Sequence, residues 1–260
     1  MGISSIPSSI TMSPMPPEVL KRNREVVIGE EIGRARVLTI NRPNHLNFIS
    51  REMALMLGQK FEKYEKDDNA EFVIIKGAGR TFSAGRDLKM FYDGRNTRDS
   101  CLEAAYRMYW LNYHIHTYKK PHIALVHGMS VGGGASLMVP MKFSVVTEKA
   151  FCSTPETSLG FHPDCGFSYM LSRLPGRLGE YLGLTGVKLK GKEVVAAGLA
   201  THLVPSEGIR ATIIDKDKSP KWNPSTLDKV SDEQLDLIFK PFEDHNLELQ
   251  IPIKEECRFE

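Results

Sequence analysis

A glycine-rich turn near the middle of the chain carries a serine that could act as a nucleophile. Gly128-Met129-Ser130-Val131-Gly132 has the G-x-S-x-G pattern of the α/β-hydrolase elbow, with a strand pattern before it and a helix pattern after it. Asp164 and His202 follow in the order that such a Ser-Asp-His triad requires. The upstream oxyanion motif of the HGGG type is absent, and so short a pattern also arises by chance. A serine hydrolase is therefore one open interpretation.

The same turn continues into three glycines, which could serve chemistry through the backbone. Consecutive glycines, here Gly132-Gly133-Gly134, allow a ligand to approach the main chain. Amides that open a helix favour negative charge, and they would stabilise the oxyanion that forms when a thioester carbonyl is attacked. A tight turn with close helix–strand packing is the structural alternative, and the triplet by itself does not separate the two.

Two acidic residues downstream of the glycines are candidates for chemistry. Glu156 follows Pro155, and Asp164 follows a Gly-Phe-His-Pro segment. Composition alone favours a surface position for Glu156 and a helix N-cap for Asp164. The neighbouring His162 fits a pocket wall better than a base, and Cys165 fits a small buried apolar residue.

Alternating strand and helix patterns would position these groups. Clusters of apolar and β-branched residues predict strands at 36–41, 72–75, 123–126 and 143–146. Helical spacing of apolar residues predicts helices after Ser50, from Asp99 to Tyr118, and over most of 166–200. This order predicts an α/β fold. The predicted divisions are a flexible arm at 1–30, a core at 31–206 and a C-terminal tail at 207–260.

Bulk composition limits the function classes. The 260 residues include 34 Lys and Arg and 32 Asp and Glu, with no basic block, so nucleic-acid binding is not predicted. The four cysteines have neither metal-ligand spacing nor a disulfide pattern, and no metal site is predicted. No apolar run has transmembrane length, and the first seventeen residues lack the features of a signal or transit peptide.

Three motifs occur together in an order and at spacings that indicate a family. They are Asn41-Arg42-Pro43 followed by Leu46-Asn47, the segment from Phe82 to Asp87, and the run from Pro121 to Gly134. With them, the region from Arg34 to Val204 resembles the crotonase (enoyl-CoA hydratase/isomerase) superfamily. Within it, the chain is most similar to the acyl-CoA hydrolase branch, the plant 3-hydroxyisobutyryl-CoA hydrolase-like proteins. The resemblance implies a crotonase-like (ClpP/crotonase) α/β fold, a spiral of ββα units.

The resemblance also implies roles for individual residues. The N–H groups of Arg86 and Gly133 would form the oxyanion hole, Glu156 would be nucleophile or general base, and Asp164 would orient the water or the substrate hydroxyl. Further substrate-binding positions that it implies are Gly132, Gly134, Asp87 and His162.

Two positions depart from the family's usual residues. Ser136 stands where hydratases carry a glutamate, which argues against alkene hydration. Position 86 usually holds a small residue in this branch. The Arg86 side chain would either crowd the pocket or reach a CoA phosphate, and the sequence leaves both open.

The junction near Ser206 also departs from the family. In relatives a long helical region separates the blocks that abut here, so the helical C-terminal region is expected to be truncated by an internal deletion. The loss is expected to uncover apolar surface near Val194 and Leu199, at a cost on the order of several kcal/mol, and to leave the chain unstable or self-associated.

The function implied by the resemblance is hydrolysis of an acyl-CoA thioester, converting 3-hydroxyisobutyryl-CoA to 3-hydroxyisobutyrate and CoA in valine breakdown. No cofactor is implied, because coenzyme A is part of the substrate. A mitochondrial location is expected, with peroxisome and cytosol as alternatives. Neither a membrane nor a nucleic-acid partner is expected, and a homo-oligomer is allowed. The alternative functions are a catalytically inactive crotonase-like binding protein and a serine hydrolase that uses Ser130.

Overall fold

The computed structural model of the protein describes residues 25–96 and 100–206. Its strands are β1 Val27–Ile32, β2 Ala35–Ile40, β3 Phe72–Gly77, β4 His122–Val126, β5 Met129–Val131, β6 Phe143–Thr147, β7 Phe151–Ser153, β8 Leu189–Lys190 and β9 His202–Val204. Its α-helices are α1 Arg51–Glu65, α2 Leu88–Gly94, α3 Ser100–His116, α4 Phe167–Leu171, α5 Leu178–Thr185 and α6 Gly191–Ala196. Short 3-10 helices span Pro43–His45, Gly132–Leu137 and Pro155–Leu159. The α/β prediction is confirmed.

Six strands form the main sheet, in the order β1-β2-β3-β4-β6-β9. β1 pairs with β2 in antiparallel fashion, and the later neighbours are parallel. The central strands are mostly apolar, as expected of parallel strands that are covered on both faces. Leu38, Ile75 and Ala124 lie side by side in register and are fully buried, so the core sits on the middle of this sheet.

A second, smaller layer runs beside the main sheet and carries the residues of interest. β5, β7 and β8 form a three-stranded sheet, and isolated bridges join Ser83 to Ser130 and Ile49 to Arg86. Each of β3, β4 and β6 thus leads from the main sheet into a short segment of this layer. The repeated step is the predicted spiral, and it stacks residues 83–86 beside residues 130–133.

Helix α1 illustrates how local chemistry sets an element. Ser50 caps its first turn, with Oγ accepting a hydrogen bond from the Met53 amide at 3.2 Å. Met53, Leu57 and Phe61 follow at helical spacing and are fully buried. The hydroxyl of Tyr118 donates to the carbonyl of Phe61 at 2.9 Å, which fixes α1 against the end of α3. The predicted helix after Ser50 is confirmed.

Two boundaries differ from the sequence-based expectation. The folded core starts inside the segment 1–30 predicted as an arm, because β1 begins at Val27 and pairs along its whole length with β2. The region 166–200 is less helical than its pattern indicates, since β8 interrupts it and pairs with β7. The rest of the predicted arm, residues 1–24, and the predicted tail, 207–260, lie outside the described residues.

The expected exposure of apolar surface near Val194 and Leu199 is wrong. Their exposed fractions are 1% and 3%, because Val194 on α6 and Leu199 just after it both pack into the core. The most exposed large apolar side chains include Leu102 and Tyr113 on α3 and Leu184 on α5, at 70%, 69% and 73%. None of the described helices combines the length and apolar character needed to cross a membrane.

Candidate active site

The two backbone amides predicted for an oxyanion hole lie side by side. The segment after β3 runs along β5, with the Ser83 amide donating to the Met129 carbonyl and the Val131 amide donating to the Ser83 carbonyl, at 3.0 and 3.1 Å. This pairing brings Arg86 next to Gly133, where a Cβ would lie 3.5 Å from the Arg86 nitrogen. We call the N–H groups of Arg86 and Gly133 the amide pair.

The glycine triplet is required by its surroundings as well as by the turn. Gly132 has a φ of +49°, and a Cβ there would lie 2.7 Å from Oε1 of Glu156. A Cβ on Gly134 would lie 2.5 Å from the carbonyl oxygen of Ser83. A Cβ on Gly133 would meet the Arg86 side chain at 2.8 Å. Tight packing is therefore present, and approach of a ligand to this backbone stays a prediction.

Glu156 is the carboxylate that lies against the glycine triplet. It lies in the 3-10 helix that follows β7, and β7 pairs with β5, so its Oε1 lies 2.7 Å from the place that a Cβ on Gly132 would occupy. Its Oε2 is buried without a hydrogen-bond partner among the described residues. Burial raises the pKa of this carboxyl, and the nearby negative charge of Asp164 adds to the effect. A buried, unpaired carboxylate oxygen is suited to meet a substrate or a water.

Asp164 is held by two side chains instead of facing the site freely. Its Oδ2 pairs with the guanidinium of Arg86, and its Oδ1 accepts a hydrogen bond from the Tyr109 hydroxyl at 2.7 Å. Asp164 is buried, and the guanidinium also stacks over the ring of Phe91 at 4.7 Å. We call the side chains of Arg86, Asp164 and Tyr109 the carboxylate clamp. It places Asp164 as a fixed charge beside the amide pair.

The clamp bears on two questions that the sequence leaves open. The Arg86 side chain turns inward to Asp164, and its Cγ lies 2.8 Å from the place that a Cβ on Gly133 would occupy. Crowding of the pocket and contact with a CoA phosphate both stay predictions. Asp164 is not a helix N-cap, because α4 begins at Phe167 and Gly166 occupies the cap position. The predicted contact of Asp164 with water or substrate stays a prediction.

A cleft of about 730 Å³ opens beside the clamp, between α3 and α4. Its lining includes Tyr109, Tyr113, Ser136, Asp164 and Tyr169. It adjoins the amide pair through Ser136, whose Oγ lies 2.8 Å from the carbonyl oxygen of Gly133. A buried neutral hydroxyl therefore stands at this point. The cleft offers room for an acyl group, and Glu156 and the amide pair lie outside its lining.

The other predicted substrate-binding positions lie at different distances from this centre. Gly134 is buried against Ser83, where it packs the turn. Asp87 pairs with Arg42 at 3.3 Å, a contact that holds the loop before α1. His162 is exposed at the rim of the cleft, with its ring 4.3 Å from that of Phe161.

The serine-hydrolase arrangement is not assembled. Ser130 is fully buried in the middle of β5, and its Oγ has no hydrogen-bond partner in the described part of the chain. His202 lies on the edge strand β9, exposed, with Nδ1 2.8 Å from the Thr201 hydroxyl. The carboxylate of Asp164 is bonded within the clamp instead of to a histidine. The G-x-S-x-G match therefore marks the strand and turn that carry the glycine triplet.

Two of the cysteines lie in the folded core. Cys152 and Cys165 are buried, and burial raises the pKa of each thiol to about 12. Thiols of this kind stay protonated at neutral pH and pack as small apolar groups, as predicted for Cys165. Across residues 25–96 and 100–206, no group of three or more His, Cys, Asp or Glu side chains is arranged to hold a metal ion.

Sequence reasoning did not identify Tyr109 as a site residue. The helical pattern of α3 places it among apolar positions, yet its hydroxyl reaches Asp164. The available signal was the spacing of Tyr109, Tyr113 and His116, which puts three rings with polar ends on one side of a helix. All three line the cleft.

Comparison with known proteins agrees with the motifs. The family model for enoyl-CoA hydratase/isomerase matches residues 35–207 and 205–239. The 3-hydroxyisobutyryl-CoA hydrolase-like protein 5 of Arabidopsis thaliana is 41% identical over 362 residues, covering 90% of this chain and 94% of the relative. The crystal structure of a carnitinyl-CoA dehydratase from Mycobacterium thermoresistibile superposes with a TM-score of 0.68 at 31% identity, over 76% of this chain and 60% of that one.

The comparisons also bear on the junction near Ser206. The two matched segments of the family model meet at 205–207, and the alignment of 362 residues is longer than this chain of 260. A stretch of the Arabidopsis relative therefore has no counterpart here, as the predicted internal deletion requires. Against the human mitochondrial 3-hydroxyisobutyryl-CoA hydrolase, the match is 38% identical and covers 77% of this chain but 52% of the relative, so the chain spans about half the length of that protein.

Proposed function

Because the chain belongs to the enoyl-CoA hydratase/isomerase family, we propose that it is a thioesterase that hydrolyses 3-hydroxyisobutyryl-CoA. The observation that carries the proposal is the buried, unpaired oxygen of Glu156 beside the amide pair. Two of the relatives described above are named as 3-hydroxyisobutyryl-CoA hydrolases or hydrolase-like proteins, which supports the substrate.

The amide pair would bind the carbonyl oxygen of the thioester. As the carbonyl carbon becomes tetrahedral, negative charge develops on that oxygen, and two fixed N–H donors stabilise it without having to reorient. A backbone donor of this kind contributes about 3–4 kcal/mol to lowering a barrier. Both donors, at Arg86 and Gly133, are backbone N–H groups. Neither side chain has to take part in binding the oxygen.

Glu156 would supply the group that attacks or activates. As nucleophile, its carboxylate attacks the carbonyl carbon, the C–S bond breaks, and CoA leaves as a thiolate that takes a proton from solvent. Water then hydrolyses the resulting anhydride and restores the carboxylate. As general base, Glu156 would instead take the proton of a water that attacks the same carbon. Either route gives the free acid and CoA.

Alkene hydration fits the site less well. Two carboxylates that manage one water molecule suit the addition of water across a double bond, and Ser136 occupies the place of one of them. The Ser136 hydroxyl lies 3.0 Å from Asn112 Oδ1 and 2.8 Å from the Gly133 carbonyl oxygen. Its proton is therefore used in holding the glycine turn. The site therefore has one carboxylate, Glu156, with a free oxygen.

Thiol release from 3-hydroxyisobutyryl-CoA by the purified full chain tests the proposal. We expect steady release of CoA, no hydration of crotonyl-CoA, and little change in Ser130→Ala. Release of thiol that Ser130→Ala abolishes, together with labelling of Ser130 by a fluorophosphonate, would replace this mechanism with a serine hydrolase. Absence of turnover, with acyl-CoA still bound, would indicate the inactive binding protein instead.

For location we propose the mitochondrion, because relatives of this chain such as the human one are named mitochondrial. Imaging of the full chain fused at its C-terminus to a fluorescent protein tests this. Overlap with a mitochondrial marker is the expected result, and a peroxisomal or diffuse cytosolic signal would contradict it.

A further inference from the structure

Two hydroxyl groups in the lining of the cleft, those of Tyr109 and Ser136, already donate their protons to neighbouring protein groups. Tyr109 donates its proton to Oδ1 of Asp164 at 2.7 Å. The Ser136 hydroxyl lies 3.0 Å from Asn112 Oδ1 and 2.8 Å from the Gly133 carbonyl oxygen, both of which are acceptors. A hydroxyl group has one proton and two lone pairs. Both oxygens are therefore left as hydrogen-bond acceptors for whatever enters the cleft.

Of the acceptors at this end of the cleft, Tyr109 is the most accessible. The exposed fractions of Asp164 and Ser136 are 5% and 0%, whereas that of Tyr109 is 46%. Asp164 is also bonded through both oxygens, to Arg86 and to Tyr109. A ligand that extends from the amide pair into the cleft thus meets the Tyr109 hydroxyl before it meets the carboxylate.

The direction of the Tyr109 hydrogen bond is fixed by its environment. Burial and the neighbouring Asp164 raise the pKa of Tyr109 to about 12, so the phenol stays protonated at neutral pH. A carboxylate can only accept, so the phenol proton points to Asp164. The lone pairs that remain on the phenol oxygen need a donor from the ligand.

We propose that Tyr109 is the specificity-determining residue of the acyl site, and that its oxygen accepts a hydrogen bond from a hydroxyl group at carbon 3 of the acyl chain. The inference rests on the proposed thioester hydrolysis and adds a preference that the reaction itself does not require. The oxygen of a 3-oxo group can only accept a hydrogen bond, so it would face the Tyr109 oxygen without a proton between them. An unsubstituted acyl group offers the Tyr109 oxygen no donor. The cleft therefore selects 3-hydroxyacyl thioesters over both.

Three four-carbon substrates separate these cases: 3-hydroxybutyryl-CoA, acetoacetyl-CoA and butyryl-CoA. We expect the wild type to favour the hydroxyacyl substrate by about tenfold in kcat/KM, the size of one good hydrogen bond. Tyr109→Phe should lower kcat/KM for that substrate about tenfold more than for butyryl-CoA, which brings the ratio between the two close to one. Tyr106→Phe is the matched control and should leave the ratio unchanged, because Tyr106 lies one turn earlier on α3, is 42% exposed and is not among the residues that line the cleft.

A purely structural role of Tyr109 gives a different pattern. Loss of the bond to Asp164 would loosen the carboxylate clamp and lower turnover of all three substrates by the same factor. Equal effects of Tyr109→Phe on the hydroxyacyl and unsubstituted substrates would therefore overturn the inference, as would a wild type without preference.

Binding distinguishes a failure of this inference from a failure of the proposed function. Calorimetry on Glu156→Gln, with and without Tyr109→Phe, gives dissociation constants for 3-hydroxybutyryl-CoA and butyryl-CoA without turnover. If the wild type hydrolyses nothing, the proposed function fails, but a tenfold binding preference that Tyr109→Phe removes still supports the site. Equal dissociation constants for the two thioesters would reject the site whatever the turnover.

Discussion

The amide pair and the carboxylate clamp share Arg86, yet they are built in different ways. The amide pair is made by backbone, and it depends on two adjacent chain segments and on glycines whose added Cβ atoms would collide with neighbours. The clamp is made by side chains that are 78 and 55 residues apart along the sequence. At position 86 the backbone N–H survives a change of side chain, whereas the side-chain network of the clamp fails when one member is removed. Substitutions can therefore separate the role of the Arg86 backbone N–H from that of the Arg86 side chain.

The largest effect is expected from closing the amide pair. In Gly133→Val, the new Cβ would lie 2.8 Å from Cγ of Arg86 and 3.5 Å from the backbone nitrogen of Arg86, and the two methyl groups need further space. The misplaced donor should lower kcat by about a hundredfold or more. Thiol-release kinetics measure this loss.

Gly176→Ala is the control, since Gly176 also lies in a turn but has nothing within 4 Å of an added Cβ. Its kcat should stay near that of the wild type. Near-normal kcat in Gly133→Val would mean that the triplet serves packing only.

Removing the Arg86 side chain should injure stability more than chemistry. Arg86→Ala keeps the backbone N–H but leaves Asp164 buried without its cation, which costs about 3–5 kcal/mol when a buried pair is broken. Chemical denaturation should report this loss, while kcat of the folded fraction should fall less than in Gly133→Val.

An exposed ion pair provides the matched control for the clamp. Arg177 and Glu180 are paired on α5, with side chains 85% and 59% exposed, so Arg177→Ala should cost about 1 kcal/mol or less. Equal losses in Arg86→Ala and Arg177→Ala would remove the distinction between the clamp and an ordinary surface pair.

The raised pKa of Glu156 predicts a pH dependence with a definite sign. Burial disfavours the carboxylate, so the group takes up its proton at a higher pH than an ordinary glutamate, for which the pKa is about 4.3. Turnover that needs the carboxylate should therefore fall as pH drops through this raised pKa. An acid limb of kcat/KM at or below the ordinary glutamate value would contradict the assignment.

The same shift makes a prediction about stability. A carboxyl with a raised pKa binds its proton more tightly in the folded state, so its stabilising contribution is present at low pH and is lost as pH rises. Glu156→Gln should therefore raise the melting temperature at pH 8, and the gain should shrink as pH falls. A melting temperature lowered at pH 8 would show that the carboxylate has a partner in the folded protein.

The smallest effect is expected far from both regions. Ser50→Ala removes the cap of α1 and should cost about 1 kcal/mol of stability without changing kcat. A change in kcat would show that α1 is coupled to the amide pair.

The elements with strong local patterns could be predicted from sequence. β2, β3, β4 and β6 are apolar runs in a covered sheet, and α1 has both a cap and a helical stripe. The second layer could not, because strands of two or three residues such as β5, β7 and β8 are too short to show a period. β1 was missed for another reason, since it follows a polar segment and is half exposed along its edge.

The two halves of the site differ in the same way. The amide pair depends on a glycine triplet and a motif that are visible as local sequence, and the family resemblance of these motifs implied its positions in advance. The clamp depends on where α3 passes the loop before α4, which no local pattern records. Tyr109 and the inward turn of Arg86 therefore emerged only from the fold.

The most direct measurement of the central claim is turnover and binding in Glu156→Gln. The variant keeps the size of the side chain and the amide pair but has no carboxylate to attack or to accept a proton. We predict that it binds 3-hydroxyisobutyryl-CoA with a dissociation constant close to the KM of the wild type, and releases thiol at least about a hundredfold more slowly. Thiol release at the wild-type rate in Glu156→Gln would contradict the claim that this residue performs the chemistry.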